Sequence, residues 1–341
     1  MTTNTMKRFI ILIATFLVIS SGMFAQTIAE RQHKSYSEIV EEATRDKKMF
    51  NHMDLSFTAG TTGLGFDIAM PAGNYLKLRT GAAFMPHFNY KMKFDIQVGD
   101  DPAQSASRFE TLSDYLKQMT GYDVDDHVDM IGEPTINNFK FMVDVLPLKN
   151  KYFHLSVGFY AGPSMVGRAT NAVEDMTSLM AVSIYNNIYR KVLNEEDIFG
   201  GMELPPAINA KILNAGTMGM PVGTFGRDVT LNDGRVFMAG DPYMMYPSKD
   251  NMVKVKMKTD KFKPYFGMGY GGPISKDKRY SLSFDCGFMY WGGTPKVLTH
   301  EGVDLEADLS QVASQIESYV NLVKHLKVYP VLDIRITRNL F

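Results

Sequence analysis

Over long stretches, this sequence alternates between apolar residues and polar or small residues at every second position. In the clearest stretch, residues 280 to 290, the even positions are Tyr280, Leu282, Phe284, Cys286, Phe288 and Tyr290. The odd positions of the same stretch are Ser281, Ser283, Asp285, Gly287 and Met289. Because successive side chains of a β-strand point to opposite faces, this period predicts strands with one apolar face and one polar face.

The same period recurs along most of the chain. Its phase changes across Gly60–Gly63, which predicts a tight turn or a bulge, since a shift by one residue exchanges the two faces of a strand. If this segment is a turn, the number of predicted strands is eight. The alternating runs cover residues 55–59, 64–70, 76–98, 139–145, 153–161, 253–270 with a shift of parity inside, 280–290 and 332–340.

Short and long connections alternate between these runs. The short ones span residues 71–74, 147–151 and 271–278, and the long ones about 99–135, 166–251 and 293–325. Barrels of the outer-membrane type have short turns at one end and long loops at the other. The sequence therefore predicts an all-β fold, a closed antiparallel up-and-down transmembrane β-barrel of about eight strands, with helical elements in long extracellular loops.

Several segments add detail to this prediction. Apolar residues at helical spacing predict one helix between Val173 and Ile184 and another between Val312 and Val323. Thr230–Phe237 predicts a small hairpin around an Asp-Gly turn. The run 76–98 is longer than the roughly 9–11 residues of a membrane strand, so either that strand projects beyond the bilayer or Pro86 starts a second hairpin.

The N-terminus has the pattern of a cleaved signal peptide. Lys7 and Arg8 precede an apolar run from Phe9 to Ile19, and small residues follow. The run is shorter than the about 20 residues that cross a bilayer; a retained membrane anchor is the alternative. We predict a signal peptide at residues 1–25, a polar periplasmic leader at 26–52 and the barrel with its loops at 53–341, exported to the outer membrane.

Parity alone does not say which face of the strands points outward. Three features favour lipid against the apolar face. The polar face mixes both charges with glycine and serine, and Phe341 ends an alternating strand. Aromatic residues also lie at strand ends, as in the girdles of membrane barrels. The girdle candidates are Tyr265, Tyr270, Tyr280, Tyr290, Trp291 and Tyr329.

Segments near both ends of the mature chain resemble one protein family. They are "GTTGLGFDIAMPAGNYLKLRTGAAF", "KPYFGMGYGGPISKDKRYSLSFDCGFMYWGGTPKV" and, after a helix-like stretch, "LKVYPVLDIRI". In this order they resemble a family of uncharacterised small outer-membrane β-barrel proteins. The resemblance implies the location and the fold, and it implies no activity. The terminal "TRNLF" departs from the family, which usually ends in an aromatic-basic-aromatic run, and the segment 166–251 is long.

If the apolar face points to lipid, a set of charged side chains faces the lumen. They are Asp67, Lys77, Arg79, Lys140, Asp144, His154, Asp285, Asp333 and Arg335. Eight strands leave a lumen only wide enough for side chains, and unpaired buried charges are costly. We therefore predict a closed, structural charge network formed by Asp67, Arg79, Asp144, Asp285, Asp333 and Arg335. The alternative is a narrow pore or proton path through Asp285 and Arg335.

Other motifs predict no catalytic, cofactor or metal site. Gly121–Met130 is rich in aspartate, but His127 and Val128 stand at the fifth and sixth positions, where a calcium loop needs an oxygen ligand and a glycine. The glycines of "GMGYGGP" precede a charged turn and not the helix of a dinucleotide site. They fit crowded positions where strands bend or where aromatic rings cover them. The net charge of −1 gives no reason to expect nucleic acid as a partner.

These observations predict a non-enzymatic outer-membrane protein with a structural or surface-binding role through its loops. A small channel or porin is the alternative. Lys254, Lys256 and Lys258 form a row that suits anionic partners such as the phosphates of lipopolysaccharide, although a solvated strand extension would show the same pattern. The expected partners are outer-membrane lipid or lipopolysaccharide and a surface ligand or membrane protein bound by the loops.

Overall fold

The computed structural model describes residues 50, 52–99, 101–121, 123–148, 151–198 and 205–340. The predicted signal peptide lies outside these residues, and so do nearly all of the predicted leader and Phe341. No helix in the described part of the chain is long and apolar enough to cross a membrane.

The described chain consists mainly of strands. They are β1 (Asp54–Gly60), β2 (Gly63–Pro71), β3 (Leu76–Phe84), β4 (Tyr90–Asp95), β5 (Gln97–Val98), β6 (His127–Pro134), β7 (Asn137–Val145), β8 (Phe153–Ala161), β9 (Met165–Asn171), β10 (Met218–Phe225), β11 (Val229–Thr230), β12 (Val236–Phe237), β13 (Pro242–Met245), β14 (Lys254–Lys258), β15 (Phe262–Pro273), β16 (Tyr280–Tyr290), β17 (Lys296–Thr299), β18 (Leu309–Val312) and β19 (Val328–Asn339). The helices are α1 (Pro102–Thr120), α2 (Met176–Leu193), α3 (Pro206–Ala215) and α4 (Ser314–Lys324).

Eight of the strands form a closed antiparallel barrel. They pair in chain order as β1, β2, β3, β7, β8, β15, β16 and β19, and β19 pairs again with β1 to close the barrel. Each strand therefore neighbours the barrel strands that precede and follow it in the chain. The predicted fold class is confirmed.

The change of phase near residue 60 is a turn. Gly60 pairs with Gly63 at the end of the β1–β2 ladder. Gly63 has a φ of 94°, and a Cβ at this position would lie 2.3 Å from the carbonyl oxygen of Phe84. Glycine is required there both by the left-handed backbone and by the close approach of β3. The strands on either side count separately, which confirms the total of eight.

The apolar residues of the alternating runs lie on the outer surface of the barrel. Phe57, Phe284 and Ile334 expose 52%, 52% and 54% of their surface. Their polar strand neighbours point inward, so that Asp285 and Asp333 are buried. The barrel thus has an apolar exterior and a polar lumen, the reverse of a barrel that folds around an apolar core.

The two ends of the barrel differ sharply. At one end, here the turn end, strands are joined by residues 72–75, 146–152 and 274–279. At the other end lie the two-residue β1–β2 turn and three long connections. These connections, residues 85–136, 162–261 and 291–327, fold together into a second layer, here the head.

Part of the head continues the barrel wall. Strands β4, β6, β9, β14 and β17 form a five-stranded antiparallel sheet. Along the chain, these five strands are connected to the barrel strands β3, β7, β8, β15 and β16, respectively. The order of strands across the head sheet is therefore the same as the order across the barrel. The run 76–98 therefore projects beyond the barrel, with a break between β3 and β4. Pro86 does not start a hairpin, because β4 pairs with β6 across the whole of α1.

The rest of the head packs on the inner face of this sheet. A second sheet is built around β10, which pairs with β13, β18 and β5, and β11 pairs with β12 as the predicted hairpin. Helix α2 buries Leu179, Val182 and Tyr185, while Val173 lies before it and is exposed. Helix α4 buries Ile316 and Val320. All these elements share one apolar core.

The predicted aromatic girdle is only partly correct. Tyr270, Tyr280 and Tyr290 are exposed on the outer surface. Tyr265 and Trp291 are instead buried at the head end of the lumen, and Tyr329 packs against them. Tyr265 and Tyr329 point inward because they have the same strand parity as Gly267 and Asp333, which face the lumen. A position near a strand end does not determine the direction of a side chain.

Candidate functional site: the barrel lumen

The six residues of the predicted network line the lumen at middle depth. Asp67, Arg79, Asp144, Asp285, Asp333 and Arg335 are all buried. They come from β2, β3, β7, β16 and β19. Lys140 and His154, also predicted to face inward, lie among them and are buried too.

Arg79 is the centre of one half of the network. Its Nε donates to Asp144 Oδ2 at 3.1 Å and its Nη2 to Asp144 Oδ1 at 3.0 Å. Ser156 donates its hydroxyl hydrogen to the same carboxylate at 2.6 Å. On the other side, Lys140 Nζ lies 2.9 Å from Asp67 Oδ1, and Arg79 Nη1 lies 3.8 Å from Asp67 Oδ2. Arg79 thus bridges the carboxylates of Asp144 and Asp67, and Lys140 pairs with Asp67 alone.

Arg335 is the centre of the other half. Its Nη2 donates to Asp285 Oδ1 at 3.2 Å and its Nε donates to Ser283 at 3.0 Å. His154 Nε2 lies 2.7 Å from the same oxygen of Asp285. Asp333 is the cross-strand neighbour of Asp285, and its carboxylate accepts from the hydroxyl of Thr62 at 3.4 Å. Strand parity predicted that these residues share one face, and the structure shows the individual contacts between them.

The charges of this layer are almost balanced. Its four carboxyl side chains are those of Asp67, Asp144, Asp285 and Asp333, and its three basic side chains besides His154 are those of Arg79, Lys140 and Arg335. His154 contacts this layer through its hydrogen bond with Asp285. Because an uncompensated buried charge is costly, the near balance of acidic and basic side chains makes burial of the whole layer possible.

Above the charges, at the head end, an apolar layer fills the lumen. This lumen plug, which the sequence reasoning missed, consists of Ala83, Met142, Tyr160, Tyr265, Met289, Trp291 and Val331. The rings of Tyr160 and Tyr265 meet edge to face with centroids 5.6 Å apart, and Trp291 stacks on Tyr329 at 4.9 Å. The available signal was the presence of bulky residues at inward positions of five strands, β7, β8, β15, β16 and β19.

Glycines make room for the lumen plug. A Cβ at Gly267 would lie 2.1 Å from the hydroxyl of Tyr265, and one at Gly287 would lie 2.6 Å from it. The Tyr265 side chain therefore lies across two glycines on neighbouring strands. This agrees with the prediction that the glycine-rich motif relieves crowding beneath aromatic rings.

Below the charges, at the turn end, the lumen opens into a cavity of about 560 Å³, here the vestibule. Its wall includes Lys77, Asp144, His154 and Arg335. Lys77 forms an ion pair with Asp54 at 2.5 Å near this mouth. None of the residues that line the vestibule belongs to the lumen plug, so the cavity ends at the layer of charges.

A buried polar cluster lies around Glu301 in the head. Tyr243 donates its hydroxyl hydrogen to Glu301 at 2.7 Å, and Arg235 Nη2 donates to the other oxygen of Glu301 at 2.5 Å. Burial, and then the neighbouring Glu301 carboxylate, raise the pKa of Tyr243 far above its ordinary range. The phenol stays neutral, and the cluster fastens the β11–β12 hairpin to the second sheet.

The acidic segment 121–130 does not converge on a cation site. Asp123 forms an ion pair with Lys117, Asp129 forms one with Lys91 at 3.7 Å, and Asp126 Oδ1 lies 2.9 Å from Nδ1 of its neighbour His127. Across the described ranges, no three His, Cys, Asp or Glu side chains are grouped as metal ligands would be. The segment begins strand β6 and serves as a surface of ion pairs.

The closed antiparallel barrel, apolar outside and polar inside, has the architecture of transmembrane β-barrels. No protein-family model matches the sequence, and no curated protein matches it. Among solved structures, CarO2 of Acinetobacter baumannii is similar at 12% identity and a TM-score of 0.37, over 86% of this chain and 100% of that chain.

Two further solved structures are similar at the same low level. CarO of Acinetobacter baumannii has 14% identity and a TM-score of 0.33, over 84% of this chain and 96% of its own. A major outer membrane protein from Thermus thermophilus has 11% identity and a TM-score of 0.26, over 85% of this chain and 98% of its own. Likeness at these scores carries no argument about this chain, and the family resemblance of its sequence stays a prediction.

Proposed function

We propose that this chain is a non-enzymatic outer-membrane protein whose barrel anchors a folded head at the cell surface, where the head binds a partner. The observation that carries the proposal is the head itself. Its three long connections share one apolar core and one five-stranded sheet. Long loops of membrane barrels lie on the extracellular side, so this rigid surface faces the medium.

The proposal includes a lumen that does not conduct. The lumen plug occupies the head end and the charge network occupies the middle. An ion that entered from the vestibule would have to separate the paired charges of Arg335 and Asp285 and then cross an apolar layer. Separating a buried ion pair is costly, because it leaves an uncompensated charge, and this cost favours a structural role for the paired residues.

A small channel is the second candidate, because the vestibule brings solvent-sized space up to Arg335 and His154. Single-channel recording in planar bilayers separates the two. The proposed function predicts no stable conductance steps for the wild-type protein. Stable steps that disappear in Arg335→Gln would instead establish a pore through the charge network.

The orientation is tested by epitope insertion in intact cells. An epitope placed between Asp233 and Gly234, at the tip of the β11–β12 hairpin, is predicted to bind antibody without permeabilisation. The matched control places the same epitope in the 274–279 turn, where antibody should bind only after permeabilisation. The reverse result would contradict the assignment of the head to the cell surface.

A further inference from the structure

The five-stranded sheet of the head has one face without a covering layer. Val255 and Met257 of β14 pack inward, against the head core and the lumen plug respectively. Since side chains alternate along a strand, Lys254, Lys256 and Lys258 point away from the barrel axis. This lysine row thus faces in the same direction as the lipid-facing residues of the barrel below it.

Positive charge is compensated unevenly across this face. On one half, Lys91 pairs with Asp129 at 3.7 Å and Arg168 pairs with Glu133 at 2.6 Å. On the other half, Lys254 pairs with Asp250. Lys258 is directly opposite Lys296 on β17. Within the described residues, Lys256, Lys258 and Lys296 form no ion pair.

A groove runs beside the uncompensated lysines. It has a volume of about 320 Å³ and is lined by the lysine row together with Leu298, His300 and Asn232. Asn232 is fixed as one wall, because its Nδ2 donates to the carbonyl of His300 at 3.2 Å and its backbone N–H donates to the carbonyl of Glu301 at 2.9 Å. Alternate residues of a strand are about 7 Å apart, so the row presents several separate cations to one extended ligand.

The position relative to the apolar surface indicates the ligand. Phe262, at the head end of β15, is exposed and packs on Phe159 with ring centroids 4.9 Å apart. Lys258 precedes Phe262 by only four positions in the sequence, a span of at most about 13 Å in an extended strand. The lysines therefore begin where the apolar surface ends, at the level of lipid headgroups.

We propose that the lysine row and its groove bind the phosphate groups of lipopolysaccharide in the outer leaflet. Lipopolysaccharide carries several phosphates on its lipid and inner sugars, and basic residues beside a membrane attract such groups. This inference rests on the proposed location of the protein in the outer membrane. It adds a lipid partner to that function and makes the head surface part of the membrane contact.

The test compares Lys256→Gln/Lys258→Gln with Lys276→Gln/Lys278→Gln, a control that removes the same charge from the turn end. Binding of purified lipopolysaccharide to each folded variant is measured by native mass spectrometry in detergent. The lysine-row variant should bind at least about tenfold more weakly, since each basic residue near an anionic surface contributes roughly fivefold. The control variant should bind as the wild type does.

Two more arms identify the ligand chemistry. Dephosphorylated lipopolysaccharide should bind weakly to the wild type, and millimolar inorganic phosphate should not displace the intact lipid. Equal binding by the two double variants overturns the inference, as does full retention of dephosphorylated lipid or displacement by free phosphate.

Insertion into vesicles, followed by the mobility of unheated samples on gels, is recorded in parallel. A chain that fails to insert refutes the proposed function, whereas insertion with unchanged lipid binding refutes only the lysine site.

Discussion

Asp144 shows how single residues hold the lumen together. Its buried carboxylate accepts from Nε and Nη2 of Arg79 and from the hydroxyl of Ser156. Removing one partner of a buried ion pair leaves the other charge uncompensated, which costs about 3–5 kcal/mol. We predict this loss in the free energy of unfolding for Asp144→Ala, measured by denaturant titration with the fluorescence of Trp291, the only tryptophan.

A paired substitution provides the control for this prediction. Arg79→Met/Asp144→Leu removes both charges and leaves apolar side chains, which is often close to neutral for a buried pair. The double variant should therefore be more stable than Asp144→Ala. If it is less stable by the sum of both single losses, the two residues do not act as a pair.

Gly267 tests the packing of the lumen plug. Its missing Cβ would lie 2.1 Å from the hydroxyl of Tyr265, and overpacking a filled interior typically costs about 1–3 kcal/mol. We predict that Gly267→Ala lowers the free energy of unfolding by this amount and that Tyr265→Phe partly restores it. Gly132→Ala is the control, since its Cβ would be 3.4 Å from the flexible end of Met92. Equal effects of both glycine substitutions would contradict the predicted contact.

At the scale of elements, the junction between helix α2 and the head sheet depends on Asp175. This residue precedes α2, and its carboxylate accepts from the backbone N–H of Asp129 at 2.6 Å. Burial, with a smaller contribution from nearby Asp129 and Asp125, raises the pKa of Asp175 above its ordinary 3.8. The folded head therefore binds this proton more tightly than the unfolded chain does.

The sign of the pH dependence follows from this difference. A carboxyl group with a raised pKa in the fold stabilises the head less as the pH rises above 3.8. We predict that the free energy of unfolding of the wild type, relative to that of Asp175→Asn, falls as the pH rises from 3.8 through the raised pKa of Asp175 in the folded head. Asp277 is the contrasting control, because its bonds from Ser275 and then Arg279 lower its pKa, and its contribution should be lost only as the pH falls below 3.8. Parallel curves for both substitutions would contradict the assignment.

Strands with one apolar face could be predicted from the sequence, because the alternation of apolar and polar residues is a local property of the chain. The barrel strands, the Gly60–Gly63 turn and the α2 and α4 segments follow from such patterns. The boundary between β3 and β4 does not, since both strands keep one parity and only tertiary pairing separates them. The pairings of the head sheet join segments that are distant in the chain, and no local pattern specifies them.

The lumen shows the same limit at the scale of the whole molecule. Parity placed Asp67, Arg79 and Asp144 on the inner face, but the register of closed strands decides which cation meets which carboxylate. The lumen plug depends on the inward direction of Tyr160 and Tyr265, which strand parity determines and nearness to a strand end does not. In the proposed non-conducting anchor, the apolar layer and the predicted charges together close the lumen.

Contact between the outer face of the barrel and hydrocarbon underlies the proposed membrane anchor, and the single cysteine provides a direct probe of it. Cys286 lies on the outer face of β16, beside Met268 of β15 and Leu332 of β19. A nitroxide attached to Cys286 can be followed in vesicles by its collisions with oxygen, which concentrates in lipid, and with a water-soluble nickel complex. Asp233→Cys/Cys286→Ser places the same label in the head as a control in water. We predict frequent oxygen collisions and few nickel collisions at Cys286; nickel collisions as frequent as those at residue 233 would contradict the account.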